Sequence, residues 1–119
     1  MMTDRKFCKP KGELKPIAVG FGACIASNHI TLAGYKVGFM YREEPSESVK
    51  ADSGWRFFSG LESEKYADDP DNFCYYDVNT IANYDSNIIE YLESPTGSSF
   101  CRNESGKFLV EAFPGDIDP

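Results

Sequence analysis

A chain of 119 residues, 41% hydrophobic and 14% aromatic, has enough apolar side chain for one buried core, which excludes a disordered polypeptide. No apolar run approaches the ~20 residues of a membrane span. The 12 bases against 19 acids, net −7, exclude non-specific nucleic-acid binding, whose affinity comes from neutralised phosphates. The charge is also uneven: residues 1–16 hold Arg5, Lys6, Lys9, Lys11 and Lys15 against Asp4 and Glu13, which is +3 and leaves −10 on the rest. An acidic body of this kind repels nucleic acid and anionic membrane and attracts basic partners.

Residues 1–16, broken by Pro10, Gly12 and Pro16, read as a basic flexible leader. Met1 to Lys6 leads into no apolar run, so no secretory signal is expected and the cytoplasm is the expected compartment. The folded body is expected over residues 17–113, with a polar tail at 114–119. Within Ile17 to Ala26, Val19, Phe21, Ala23 and Ile25 share one parity, which predicts a strand, while Gly20 and Gly22 mark a bulge or close backbone approach. Tyr35, Val37, Phe39 and Tyr41 alternate with Lys36, Gly38, Met40 and Arg42, the clearest strand signal in the chain, with one half-buried face. Glu43 to Gly54 is a charged loop, and Trp55 to Ser59 a short aromatic strand.

Ser59-Gly60-Leu61-Glu62 has capping-box spacing and predicts a helix from Leu61 to about Ala67, ended by Asp68-Asp69-Pro70-Asp71. Phe73 to Val78 reads as a strand; Asn79 and Asp85 are favourable N-caps. Ile88, Ile89 and Leu92 on one face predict a helix over 86–93, stopped before Pro95. Ser99 to Arg102 and Lys107 to Phe113 flank a four-residue connection, a hairpin. The fold class is therefore α+β: a single compact domain, mostly antiparallel sheet with two or three short helices. Val37, Phe39, Ile89, Leu92 and Phe108 are the expected core.

Few residues suit catalysis or metal binding. The single histidine, His29, excludes multi-histidine metal sites, and nothing in the sequence brings it to a cysteine. Cys8, Cys24, Cys74 and Cys101 form no Cys-x-x-Cys pair, which removes zinc ribbons and redox motifs and leaves reduced, structural cysteines as the expectation. A calcium loop started at Asp69 fails, with Phe73 and Cys74 where a ligand and a glycine belong. Gly20-Phe21-Gly22 has Ile25 where a dinucleotide loop needs its third glycine. No catalytic residue, cofactor or metal is expected.

Met40 to Glu62 stands out for aromatics and arginine beside loop carboxylates, the composition of recognition surfaces. Tyr41, Arg42, Asp52, Trp55 and Glu62 are the candidate partner-binding residues, with Asp68, Asp69 and Asp71 as an adjacent acidic loop. A core position for Trp55, with Arg42 pairing internally to Asp52 or Glu62, is the competing reading of the same residues.

Several segments resemble a known family: Cys24-Ile25-Ala26-Ser27, Gly34 to Glu43, Asp52-Ser53-Gly54-Trp55-Arg56-Phe57-Phe58-Ser59-Gly60-Leu61-Glu62, Tyr76 to Asp85, Tyr91-Leu92 and Pro95 to Phe100. From about Cys24 to Val110 the chain resembles the bacterial polymorphic-toxin immunity family numbered thirty-three, formerly a domain of unknown function. The resemblance implies a non-catalytic cytoplasmic protein that binds and neutralises a cognate protein toxin, and it brings no catalytic residue. Two other readings stay open on the residues alone: a domain binding a small ligand or peptide beside Trp55, and a cysteine-dependent enzyme using His29.

Nothing in the sequence directs the chain to an oxidising compartment. Thiol titration under denaturing conditions, on protein purified without reductant, is therefore expected to return all four cysteines; a count near zero would overturn the reduced state.

Overall fold

The structure, a computed structural model, describes residues 14–111; the leader up to residue 13, Cys8, the end of the last expected strand and the polar tail 114–119 lie outside the described residues. Six strands form one mixed sheet: β1 (Ala23–Ser27), β2 (Phe39–Arg42), β3 (Asp52–Phe58), β4 (Phe73–Asp77), β5 (Ser99–Arg102) and β6 (Phe108–Val110). Their spatial order is β4-β1-β3-β2-β5-β6. β1 and β3 run parallel and every other neighbouring pair is antiparallel, in keeping with the expected α+β class.

Three short α-helices punctuate the chain: α1 (Asn28–Thr31), α2 (Glu64–Ala67) and α3 (Val78–Tyr84). Each starts at an acceptor side chain that takes a backbone N–H of its first turn: Ser27 from His29, Ser63 from Tyr66 and Asp77 from Asn79. Val78, Ile81 and Ala82 then recur at i, i+3 and i+4 and bury one face of α3. Asp85 caps the next segment, which is wound as a 3₁₀ helix over Ser86–Tyr91 where an α-helix over 86–93 is expected. The capping-box residues behave differently again. Glu62 takes the backbone N–H of Ser59 (2.8 Å) and Gly60 (3.0 Å), and Ser59 Oγ takes that of Leu61 (3.0 Å), so the reciprocal bonds close a turn; the helix itself starts four residues later on Ser63.

Alternation divides the sheet into two faces. Cys74, Ala26, Phe57, Met40, Phe100 and Val110 stand in one cross-strand row. That face carries the core: Trp55, Phe57 and Met40 are fully buried, with Val78, Ile81, Ile88 and Leu92 among the helical residues that join them. Trp55 donates its indole N–H to the Leu92 carbonyl (3.1 Å) and stacks on Phe57 with ring centroids 5.9 Å apart. The first described residues dock on the same layer, where Asn79 Oδ1 accepts the N–H groups of Ile17 (2.9 Å) and Ala18 (2.8 Å).

The structure reverses the expected face of β2. Val37, Leu92 and Phe108 are buried as expected, but Met40 is the core residue of the strand, while Phe39 and Tyr41 lie half-buried on the opposite side and Ile89 is only partly covered. The alternation breaks at Gly38, which precedes the strand and approaches β3 so closely that a Cβ there would collide with the Ser59 carbonyl. Val37 and Phe39 thus belong to different local geometries despite their shared parity.

The faces can be told apart by mutation. Phe57→Ala should destabilise by about 3–5 kcal/mol, the range for a fully buried phenylalanine losing transfer energy and packing, and Phe39→Ala by less than half of that. Urea unfolding of both variants checks the order; equal midpoint losses would put Phe39 back in the core.

Candidate functional site

The sheet face away from α3 is only partly covered. One of its cross-strand rows runs Tyr75, Ile25, Arg56, Tyr41, Ser99, and the next contains Phe58, Phe39, Cys101 and Leu109. Tyr75 and Leu109 are exposed, and Ile25, Phe39, Tyr41 and Phe58 half-buried. The rings form a continuous run. Tyr41 stacks on Phe58 (5.9 Å, 16°), Phe58 meets Phe73 edge-on (5.5 Å), Phe73 meets Tyr66 of α2 (6.1 Å), and Tyr66 lies against His29 (4.3 Å). A face of this kind, ordered and aromatic yet open, has the make-up of a recognition surface rather than of a core.

An ion cluster sits under its middle. Arg56 is almost wholly buried and holds Asp52 with both terminal nitrogens, Nη1 to Oδ1 at 2.9 Å and Nη2 to Oδ2 at 2.8 Å. Its Nε donates to Glu43 Oε2 at 2.6 Å, and Nη1 also reaches the Trp55 carbonyl (3.1 Å). A straight strand would hold residues four apart at about 13 Å. Here β3 bulges at Ser53-Gly54, so that Ala23 and Ile25 of β1 face Asp52 and Arg56, and the bulge folds the carboxylate back onto the guanidinium. Gly54 is required there: its φ is +89°, and a Cβ would collide with the Glu43 carbonyl. Burial on its own would raise the Asp52 carboxyl, but hydrogen bonds from Arg56 and from the N–H groups of Ser46 and Gly54 outweigh it and bring the pKa down to about 2. Burial likewise opposes the charge on Arg56, and the two carboxylates more than offset it, raising its pKa.

Of the residues singled out by sequence, Tyr41 lies on the open face, its phenol pKa raised by burial and then by the Glu43 charge. Asp68, Asp69 and Asp71 are exposed just beyond α2, with Asp69 also capping the turn at Pro70–Asn72 by accepting from Asp71 N–H. The others are held internally. Trp55 has no exposed edge, so it offers no anchor to a partner. Arg42 points to the core side, with Nε on the Ser53 carbonyl (2.9 Å), Nη1 on the Ser94 carbonyl (2.8 Å) and its guanidinium 5.7 Å from the Trp55 ring centroid. It therefore pairs with carbonyls, not with Asp52 or Glu62. The Asp52 side chain is sealed beneath Arg56, and Glu62 is occupied by the Ser59–Gly60 turn.

Glu43, Ile25, Phe39 and Phe73 are absent from the candidate site residues that the sequence offers, Glu43 being legible there only as part of a charged loop. The signal was present in Trp55-Arg56-Phe57-Phe58: a strand apolar at both parities has something to cover on each side.

The arrangement suits binding better than bond-making. His29 Nδ1 contacts Ser59 Oγ (2.8 Å) and lies 3.7 Å from Glu62 Oε2, so serine and acid share one ring nitrogen, whereas a hydrolytic triad needs them on opposite nitrogens. Cys24 is fully buried, and that burial pushes its thiol far above the range of a reactive thiolate. Among the described residues, no group of three or more His, Cys, Asp or Glu side chains could hold a metal ion, and no helix is long and apolar enough to cross a membrane.

The family model for the immunity protein Imm33 domain matches residues 24–111, a span that runs from the second residue of β1 through the last strand. No curated protein and no solved structure matches the chain.

The ion cluster predicts an acid limb in the stability profile. Asp52 titrates near 2 when folded and near ~3.9 when unfolded, so its contribution is complete above pH ~4 and is lost as pH falls through the folded value. Asp52→Asn should cost roughly 3–5 kcal/mol at neutral pH, because it leaves a buried guanidinium undercompensated, and should flatten the pH dependence between ~4 and ~2. Urea midpoints measured across that window check both; an unchanged acid slope would remove Asp52 as its source.

Proposed function

The chain belongs to the immunity protein Imm33 domain family, and from that membership we propose that it binds a cognate bacterial toxin and neutralises it by occlusion, without chemistry of its own, in the cytoplasm. The observation that carries the structural side of this reading is the open aromatic sheet face, which lies beside a row of exposed carboxylates. Asp68, Asp69 and Asp71 follow directly on α2, whose Tyr66 extends the ring run. With −10 on the chain beyond residue 16, the partner that fits is a basic protein domain rather than nucleic acid or an anionic membrane. The alternative of a small ligand beside Trp55 has no observation in its favour, since that ring is buried and Arg42 is engaged with Ser53 and Ser94.

The division of labour follows from exposure. Carboxylates at the rim steer the encounter, while desolvated aromatic contacts hold the complex. Among the candidate partner-binding residues, Tyr41 is the one whose aromatic ring lies on the open face, and it serves as the anchor.

A toxin domain captured by this protein from extracts of its own host should arrest growth when expressed alone, and co-expression with this protein should restore growth; persistent arrest with the folded protein present would overturn the proposal. With that pair in hand, replacing Asp68, Asp69 and Asp71 together by Asn should slow association several-fold at low salt and leave dissociation nearly unchanged, and the effect should fade as salt shortens the Debye length. An equal loss at high salt would show that these carboxylates make direct contacts in the bound state.

A further inference from the structure

We propose that the depression on the open sheet face walled by Tyr41, Phe58 and Glu43 is a receptor for a cationic side chain, an arginine or lysine presented by the toxin. The inference rests on the toxin-binding reading and names the chemistry that reading requires of its partner.

Three observations carry it. The first is size. The depression, lined by Ile25, Tyr41, Glu43, Arg56, Phe58 and Phe73 among others, holds about 210 Å³. That is below the roughly 300–1,000 Å³ of small-molecule sites and suits one inserted side chain.

The second is charge. Two carboxylates and one guanidinium leave a net −1 in the cluster, and the geometry says where it resides. Asp52, with no exposed side-chain surface, takes the bidentate contact and neutralises Arg56. Glu43, with a side chain 42% exposed, takes a single contact among the described residues, from Arg56 Nε to Oε2. The surplus negative charge therefore lies at the solvent side of the cluster, and a second cation arriving there meets a neutralised Arg56 rather than a bare one.

The third is shape. The Tyr41 and Phe58 rings lie nearly parallel (16°) beside that carboxylate, and Phe73 closes the far side at 63° to Phe58. A guanidinium or ammonium group seated there has aromatic surface for cation–π contact and a carboxylate at its end, the combination that selects a cation over an apolar side chain.

The test uses N-acetyl-arginine amide as probe and N-acetyl-citrulline amide as its uncharged isostere, each titrated into ¹⁵N-labelled protein. The arginine probe should produce saturable shifts confined to the amides around Ile25, Tyr41, Glu43, Phe58 and Phe73, with half-saturation on the order of tens of millimolar, as one exposed ion pair and one cation–π contact allow. Citrulline should leave those amides in place. Glu43→Gln should weaken the probe several-fold, and Tyr41→Leu, which keeps the cluster's charge, should weaken it as well; the same spectra report whether each variant is folded. Shifts spread evenly over the surface, equal shifts from citrulline, or undiminished binding in both variants would overturn the inference. Its failure is distinguishable from failure of the toxin reading. Growth rescue by the wild-type protein with no localised arginine shifts removes the cation site alone; localised shifts with no rescue leave the site and remove its proposed owner.

Discussion

The bidentate contact between Arg56 and Asp52 is the constraint from which the centre of the molecule is built. It lies within one strand, between residues four apart, and exists only because the strand bulges between them. The same bulge ties together three neighbours. Ser53 Oγ donates to the Ala23 carbonyl of β1 (2.6 Å), the Ser53 carbonyl accepts from Arg42 of β2, and the Gly54 carbonyl accepts the Glu43 N–H. Asp52 Oδ2 also takes the Ser46 N–H at 2.7 Å, fastening the loop that leads into β3. A buried ion pair contributes little net stability against an apolar substitute, but breaking one partner leaves a charge with nowhere to go. Other registers of β3 would have to bury Arg56 without its carboxylate, at the cost of an uncompensated buried charge.

A second buried pair does for the far side of the sheet what this one does for the middle. Asp85, at the end of α3, accepts the Val37 N–H through Oδ2 (3.0 Å) and binds Arg102 of β5, while Arg102 Nε returns to the Val37 carbonyl (2.8 Å). One carboxylate thus joins a helix end, the segment before β2 and the interior strand β5. With both pairs in place, the helical layer and the strands hold a fixed relation, and the open face inherits a rigid floor. Rigid aromatic surface loses less conformational entropy on binding than a mobile one.

Much of this was legible in the residues, and the misses have physical causes. The strands lie near where alternation and glycine and proline punctuation put them, although β3 starts at Asp52, inside the expected loop, and β2 only at Phe39; Leu92, Val37 and Phe108 reach the core as patterning requires. The side of β2 was misread because Phe39-Met40-Tyr41-Arg42 has a usable apolar residue at either parity, and only the cross-strand partners Phe57 and Phe100 decide that Met40 turns inward. Trp55 was legible as important but not as inaccessible; its aromatic neighbours are as compatible with a core as with a surface. Glu43 was read as part of a charged loop, because the fold-back of Asp52 onto Arg56 arises from a bulge whose only mark in the sequence is Gly54. The parallel pairing of β1 with β3 left no local trace at all, being a contact between segments about thirty residues apart.

The placement of the single tryptophan has a spectroscopic consequence. Trp55 lies on the core side of the sheet, sealed from solvent, with its N–H on Leu92 and its ring on Phe57. Its fluorescence is governed by the layer between sheet and helices, and whatever settles on the opposite face does so one sheet thickness away from the indole. The emission maximum is thus an optical gauge of core integrity: it shifts to the red when the helices part from the strands, and it stays quiet while the other face is occupied.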